Sequence, residues 1–140
     1  MNRSAVSAYW DHFRTINGIT MRAMAEGTAK GDIEWSEEKD AAATAKLKSQ
    51  DDLIRFASDS WKASNQAIQG LSDAQIAGMV KTPWGQSFPG FVCVNIIYDE
   101  HLHHRGQLYA YLRQLGAAPP MVWDFEHNAP EFQQKQAQQA

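Results

Sequence analysis

The chain has 140 residues, of which 44% are hydrophobic and 21% charged, as in an ordinary soluble, single-domain globular protein. Its net charge is −3 and its lysines and arginines are scattered, which excludes the basic stripe of a nucleic-acid-binding protein. No apolar run approaches the roughly 20 residues that cross a membrane, and no signal peptide begins the chain. With a single cysteine, Cys93, which cannot form an internal disulfide, we expect a cytoplasmic protein without nucleic-acid or membrane partners.

The first predicted element is a long helix over residues 4–26. Apolar and small side chains recur at three- and four-residue steps from Ala5 to Ala23, and Gly27 is the predicted stop. The connection that follows is polar. Its Ala-, Glu- and Lys-rich part, residues 37–47, is expected to form a short exposed helix.

A second long helix is predicted to begin after Ser49, whose hydroxyl is a suitable N-cap, and to end near Gly70. Ser72 repeats the capping pattern and predicts a short helix that runs to about Val80. Residues 81–90 are rich in proline and glycine, and we expect a loop there.

The last long helix is predicted over residues 90–115, because Gly116 is a typical helix stop and Pro119-Pro120 cannot continue a helix. No strand-like alternation and no internal repeat is present. The sequence therefore predicts an all-α, up-down-type helical bundle with three long helices. We expect one domain over residues 1–132 and a disordered Gln- and Ala-rich tail over residues 133–140.

One stretch of the last helix carries three histidines and a carboxylate within five residues, although the surrounding segment is apolar. Burying ionisable groups is costly unless they pair or bind a metal. On a helix that turns about 100° per residue, His104 lies within about 20° of the centre of the buried stripe, and His101 within about 40°. Glu100 lies within about 60° of that centre, whereas His103 is about 120° away, on the solvent side. Glu100 and His104 thus share one face, one turn apart.

The first helix offers a further inward histidine, because His12 is in register with the apolar stripe of that helix. Helical bundles build metal sites from polar groups that face the core on different helices. His12, Glu100 and His104 would form a two-histidine, one-carboxylate site for Zn²⁺, Ni²⁺, Fe²⁺ or Mn²⁺, with His101 as the reserve ligand. Two other interpretations stay open: His12 as a hydrogen-bonded core histidine, and Glu100 with His104 as a purely structural pair.

The residues His103–Leu108 read HHRGQL, and they are followed by Tyr111-Leu112-Arg113 and by Gly116–Pro120. This pattern resembles the last bundle helix of the DinB/YfiT-like superfamily. The HHRGQ block is specific, and the resemblance extends from about Ala8 to Phe125.

The resemblance implies a metal-binding helical bundle, often dimeric, with relatives that include bacillithiol- and mycothiol-dependent transferases and a maleylpyruvate isomerase. Its usual ligands are one histidine from the second helix and two groups four residues apart on the fourth. On this chain these positions are His12, Glu100 and His104. Most members have histidine where this chain has Glu100, but a carboxylate occurs in the isomerase branch. Zn²⁺ or Ni²⁺ is the favoured ion, and a low-molecular-weight thiol is a candidate cosubstrate.

The family also has a helix before the one that carries its first ligand, and this chain begins with too little sequence for it. We therefore expect an open apolar flank, covered either by a second copy in a homodimer or by the segment 37–47. Taken together, these features predict a metal-dependent, thiol-dependent S-transferase or isomerase, or a hydrolase, that acts on a small molecule. The alternative is a non-catalytic stress-response bundle that binds a metal or a small ligand.

Overall fold

A computed structural model of the chain describes residues 3–121, and these residues are mostly helical, as predicted. The elements are, in chain order, α1 (Arg3–Arg14), a π-helix (Thr15–Ala23), α2 (Met24–Lys30), α3 (Glu37–Thr44), α4 (Gln50–Gln69), α5 (Asp73–Ala77), β1 (Met79–Lys81), β2 (Ser87–Pro89) and α6 (Gly90–Gln114). None of these helices is both long and apolar enough to span a membrane. The predicted tail, residues 133–140, lies outside the described part of the chain.

The first three helical elements follow one another without a break and make one long helix that ends later than predicted. The helix continues through Lys30, and Gly31 ends it in a left-handed conformation with φ 78°. Gly27 as the stop was wrong, because this residue is buried inside α2. A Cβ at Gly27 would lie 2.6 Å from the Cα of Ile33, so glycine is needed there for close packing of the returning chain.

The middle of this long helix is wound as a π-helix, which a uniform helical wheel does not anticipate. Thr20 Oγ1 donates to the carbonyl of Thr15, five residues earlier, at 3.0 Å. The wider winding moves the buried face, so that Thr20, Met21 and Met24 are buried beside Ile16. π-Helical turns are frequent at functional sites, and this one begins three residues after His12.

The caps of α4 and α5 are those predicted. Ser49 accepts a hydrogen bond from the backbone N–H of Asp52, whose carboxylate accepts from the backbone N–H of Ser49 in return. Ser72 forms the equivalent pair with Gln75 at the start of α5.

The segment after α5 is a short antiparallel hairpin rather than the predicted helix end and loop. Residues 79–81 pair with residues 87–89, and Val80 faces Phe88 across the pair. Val80 is almost fully buried. Strands of three residues are too short for an alternating pattern to be recognised, which is why the sequence did not predict them.

The most tightly buried cluster lies where this hairpin meets α2 and the first turns of α6. It consists of Met24, Ile33, Val80 and Cys93. Cys93 is 0% exposed, as expected for a small buried hydrophobic residue, and burial raises the pKa of its thiol. The core therefore occupies one end of the molecule, about 11 residues of α6 away from His104.

The long first helix is the centre of the molecule, because α4 and α6 both pack against it but hardly contact each other. The gap between them is an apolar groove of about 340 Å³. Its lining, which we call the α4–α6 groove, consists of Met21, Trp61, Ile68, Val94, Ile97, Tyr98 and His101. Among residues 3–121, the helices therefore leave an apolar flank uncovered, as predicted.

Helix α3 does not cover this flank, so the prediction that the segment 37–47 would do so was wrong. Asp40 of α3 forms an ion pair with Arg14 at the end of α1. The same carboxylate lies against Gly18 in the π-helix, where a Cβ would come within 2.9 Å of Oδ1. These contacts hold α3 beside the first helix and away from the α4–α6 groove. The homodimer stays a prediction.

Candidate metal site

The structure brings His12 and His104 together from segments 92 residues apart. His12 lies in the last turn of α1, and His104 lies near the middle of α6. Their Nδ1 atoms are 2.7 Å apart, and their ring centroids are 4.9 Å apart with an interplanar angle of 48°. The convergence of these two rings follows the sequence prediction.

Aromatic neighbours hold the two rings from either side. Tyr111, two turns further along α6, stacks on His12 with centroids 5.5 Å apart and an interplanar angle of 25°. The ring of His103 meets His104 edge-on at 5.1 Å, although His103 is itself exposed as expected. Tyr111 was not among the residues predicted for the site. Its seven-residue spacing from His104, which places both side chains on one face of the helix, is the signal that could have identified it.

Glu100 lies at the other edge of His104. Its Oε2 is 3.4 Å from Nε2 of His104, whereas His12 faces Nδ1. The two nitrogens of an imidazole point away from each other, so Glu100 and His12 do not converge on a common point. Within residues 3–121, no group of three or more His, Cys, Asp or Glu side chains is placed to hold one metal ion. The structure thus unites two of the three predicted ligands and places the third beside them.

The hydrogen-bonding geometry indicates which nitrogen of His104 carries the proton. Glu100 is a carboxylate acceptor next to Nε2, so we assign the proton of neutral His104 to Nε2. The lone pair on Nδ1 then accepts from Nδ1–H of His12. This tautomer leaves on His104 a nitrogen lone pair that is directed at His12.

His104 is held in the neutral form that binds metals. Its side chain is only 12% exposed, and burial lowers its pKa below the ordinary value for histidine. The neighbouring His12 lowers the pKa of His104 further, while Glu100 acts in the opposite direction. Glu100 is 48% exposed, so solvent weakens its opposing effect.

The facing nitrogens have the donor chemistry that a transition-metal ion requires. Neutral imidazole nitrogens bind Zn²⁺ at about 2.0–2.1 Å, and in a tetrahedral site two of them lie about 3.3 Å apart. The observed 2.7 Å between His12 and His104 is shorter, as expected where a hydrogen bond joins the two rings. To bind an ion between them, His12 would carry its proton on Nε2 instead of Nδ1, and the two nitrogens would move about 0.6 Å further apart.

His101, the predicted reserve ligand, is on the groove side of α6 rather than at the His12–His104 pair. Its ring lines the α4–α6 groove, and its Nδ1 is buried without a hydrogen-bond partner among the described residues. Burial lowers the pKa of His101, and electrostatic interactions with Arg105 and then with His104 lower it further. Arg105 is a second residue of this region that sequence analysis left without a role.

Comparison with known protein families matches the DinB family over residues 9–137. The chain belongs to the DinB family. The match contains both His12 and α6 with the HHRGQ block, so it spans the whole candidate site of this DinB protein. No curated protein and no solved structure matches the chain.

Proposed function

We propose that this DinB protein is a metal-dependent enzyme that acts on a small molecule, as a thiol-dependent S-transferase or isomerase or as a hydrolase. The observation that supports the proposal is the approach of His12 Nδ1 to His104 Nδ1 at 2.7 Å. Two distant segments place these imidazoles face to face in a partly buried position. A divalent ion, Zn²⁺ or Ni²⁺ by donor type, would be held by these two nitrogens.

In this proposal Glu100 orients His104 rather than completing the ligand set. A metal-binding histidine commonly donates its other ring N–H to a carboxylate, which fixes the tautomer and the ring position. The 3.4 Å separation between Glu100 Oε2 and His104 Nε2 supports that role. Glu100 as a third ligand is the competing prediction, and it requires the side chain to leave this position.

The bound ion would supply Lewis acidity, which lowers the pKa of a bound thiol or water. The protein residues bind the ion, keep His104 neutral and hold the two rings between Tyr111 and His103. The described residues around the pair include no evident separate general base.

The first experiment measures metal in protein purified without a histidine tag. We expect close to one Zn²⁺ or Ni²⁺ per chain by elemental analysis. His12→Ala and His104→Ala should each weaken binding by more than about 100-fold, since loss of an orienting partner alone costs 10–100-fold. Asp99→Ala is the matched control, because this exposed carboxylate is a potential ligand on the same helix but is not in contact with the His12–His104 pair, and it should leave the affinity unchanged.

Failure of wild-type protein to bind either ion, or equal binding by His104→Ala, would contradict the metal site. If the ion binds, low-molecular-weight thiols are screened against electrophilic acceptors with metal-loaded and metal-free protein. Metal-dependent turnover supports the enzyme. Metal binding without turnover of any pair supports the non-catalytic alternative instead.

A further inference from the structure

The α4–α6 groove exposes two large aromatic side chains. Trp61 from α4 is 51% exposed and Tyr98 from α6 is 64% exposed, while Met21 forms a buried floor. Apart from the imidazole ring of His101, the lining is mainly apolar. The volume of about 340 Å³ is within the range of small-molecule sites, about 300–1,000 Å³.

The polar end of the groove is formed by His101, and Arg105 lies one helical turn further along α6. Arg105 follows His101 by four residues, so both project from the same side of α6. The two side chains are close enough to interact electrostatically. The side of α6 that lines the groove therefore ends in a cationic group.

Arg105 has no anionic partner among residues 3–121, although it is half-buried. Three other arginines within residues 3–121 each form an ion pair with a carboxylate, namely Arg14, Arg22 and Arg55. A partly desolvated guanidinium is costly without a partner, and its fork of N–H donors matches a carboxylate. Charge complementarity therefore favours an anionic group next to Arg105.

We propose that the α4–α6 groove binds a small molecule with an aromatic or other flat apolar body and an anionic group, held by Trp61, Tyr98 and Arg105. The apolar body lies over the floor at Met21, and the anion accepts hydrogen bonds from Arg105. Because His101 and His104 are close enough to interact, this site adjoins the candidate metal site. Because the two sites adjoin, the inference rests on the proposed function and names the class of substrate for that function.

A second copy of the chain is the competing occupant of this groove. It would cover the apolar walls, but it would also have to bring a carboxylate to Arg105. A small aromatic anion satisfies both the apolar lining and a guanidinium that has no anionic partner among residues 3–121, and it fits the volume of the groove.

The test uses metal-free protein and two probes of the same shape, 2-naphthoate and its neutral amide, 2-naphthamide. Binding is followed by isothermal titration calorimetry. We expect saturable binding of one naphthoate per chain, at least tenfold tighter than naphthamide. Trp61→Ala should weaken both probes alike, because it removes apolar contact without changing charge.

Arg105→Gln should remove the preference for naphthoate while leaving naphthamide binding unchanged. Arg113→Gln is the matched control, since Arg113 is an exposed arginine near the end of the same helix. If Arg105→Gln does not fold, the naphthoate-to-naphthamide ratio of the wild type and its decline with added salt test the same charge contact.

Equal affinity for both probes, or a preference that survives in Arg105→Gln, would overturn the inference. So would a dimer in light scattering that Trp61→Glu converts to a monomer, because a second copy would then occupy the groove. Since the binding test needs no metal, the inference and the metal site fail independently of each other.

Discussion

At the scale of single residues, Glu100 decides how the candidate metal site is built. If Glu100 orients His104, an acceptor oxygen at that position is sufficient and the negative charge is dispensable. We expect Glu100→Gln to weaken Zn²⁺ binding by less than about tenfold, and Glu100→Ala by about 10–100-fold. Competition with a chromogenic zinc chelator measures both affinities.

A different result follows if Glu100 is a ligand. Glu100→Gln would then weaken the site as strongly as His12→Ala does, since a neutral amide oxygen binds Zn²⁺ poorly. That outcome would restore the set of three ligands predicted from the sequence. The NMR signals of the His104 ring nitrogens give a further check, because the orienting role requires the proton on Nε2 in metal-free protein.

The sequence predicted the meeting of His12 and His104 because periodicity alone determines which helical faces are buried. It did not predict which edge of His104 Glu100 would face, since that depends on side-chain torsions within a face. His101 shows the same limit: it is only three residues from His104, yet it lines a different side of the helix. Residue type and helical phase predicted that His12 and His104 would meet, whereas the position of Glu100 beside them depends on side-chain geometry.

At the scale of secondary structure elements, Gly27 should tolerate no side chain despite its position inside a helix. Alanine favours helix by up to about 1 kcal/mol over glycine, but overpacking costs typically 1–3 kcal/mol. The new Cβ would meet the backbone of Ile33 at 2.6 Å, and a backbone atom cannot rotate away. We expect Gly27→Ala to lower the free energy of unfolding by about 1–2 kcal/mol in urea denaturation.

Gly106→Ala is the matched control for this prediction. Gly106 lies inside α6, and a Cβ there has no neighbour within 4 Å among the described residues. It should raise the free energy of unfolding by about 0.5–1 kcal/mol through helix propensity alone. If both substitutions are stabilising, the close approach of Gly27 to Ile33 is not present in solution.

The start of α4 predicts a pH dependence of stability. The backbone N–H of Lys48, and next the side chain of Ser49, lower the pKa of Asp52 to about 2 from its ordinary value of 3.8. Because the folded-state pKa is below the unfolded value, Asp52 stabilises the protein above about pH 4 and ceases to do so as the pH falls towards about 2. In Asp52→Asn, the free energy of unfolding should therefore decrease less between pH 5 and pH 3 than it does in the wild type.

Urea denaturation at those two pH values measures the effect, with Asp51→Asn as the control for loss of a charge in the same helical turn. An identical slope for wild type and Asp52→Asn would contradict the assigned capping box.

The caps of α4 and α5 were predictable because they depend on two residues at fixed spacing. The π-helix and the hairpin were not, because contacts with distant residues maintain them.

At the scale of the whole molecule, the most tightly buried cluster and the candidate metal site lie about 11 residues of α6 apart. The cluster of Met24, Ile33, Val80 and Cys93 fixes the end where the hairpin meets α2 and α6. The part of the molecule that we call the site end consists of α1 and the second half of α6, which meet around His12 and His104, and few of its side chains are fully buried. Elements with few buried contacts open locally at low free energy. The site end should therefore be the less stable half.

Metal binding should reduce this difference in stability. In metal-free protein, we expect amide hydrogens of α1 and of residues 100–114 to exchange faster than those around Val80 and Cys93. An ion held by His12 and His104 joins the two helices, so every opening that separates them must first release it. At a free Zn²⁺ concentration 100 times the dissociation constant, this stabilises the closed form by about 2.7 kcal/mol. Protection of the site end should then rise about 100-fold in hydrogen-exchange mass spectrometry, and His104→Ala should abolish the rise. If Zn²⁺ protected only the core, or if His104→Ala responded like wild type, the ion would bind elsewhere.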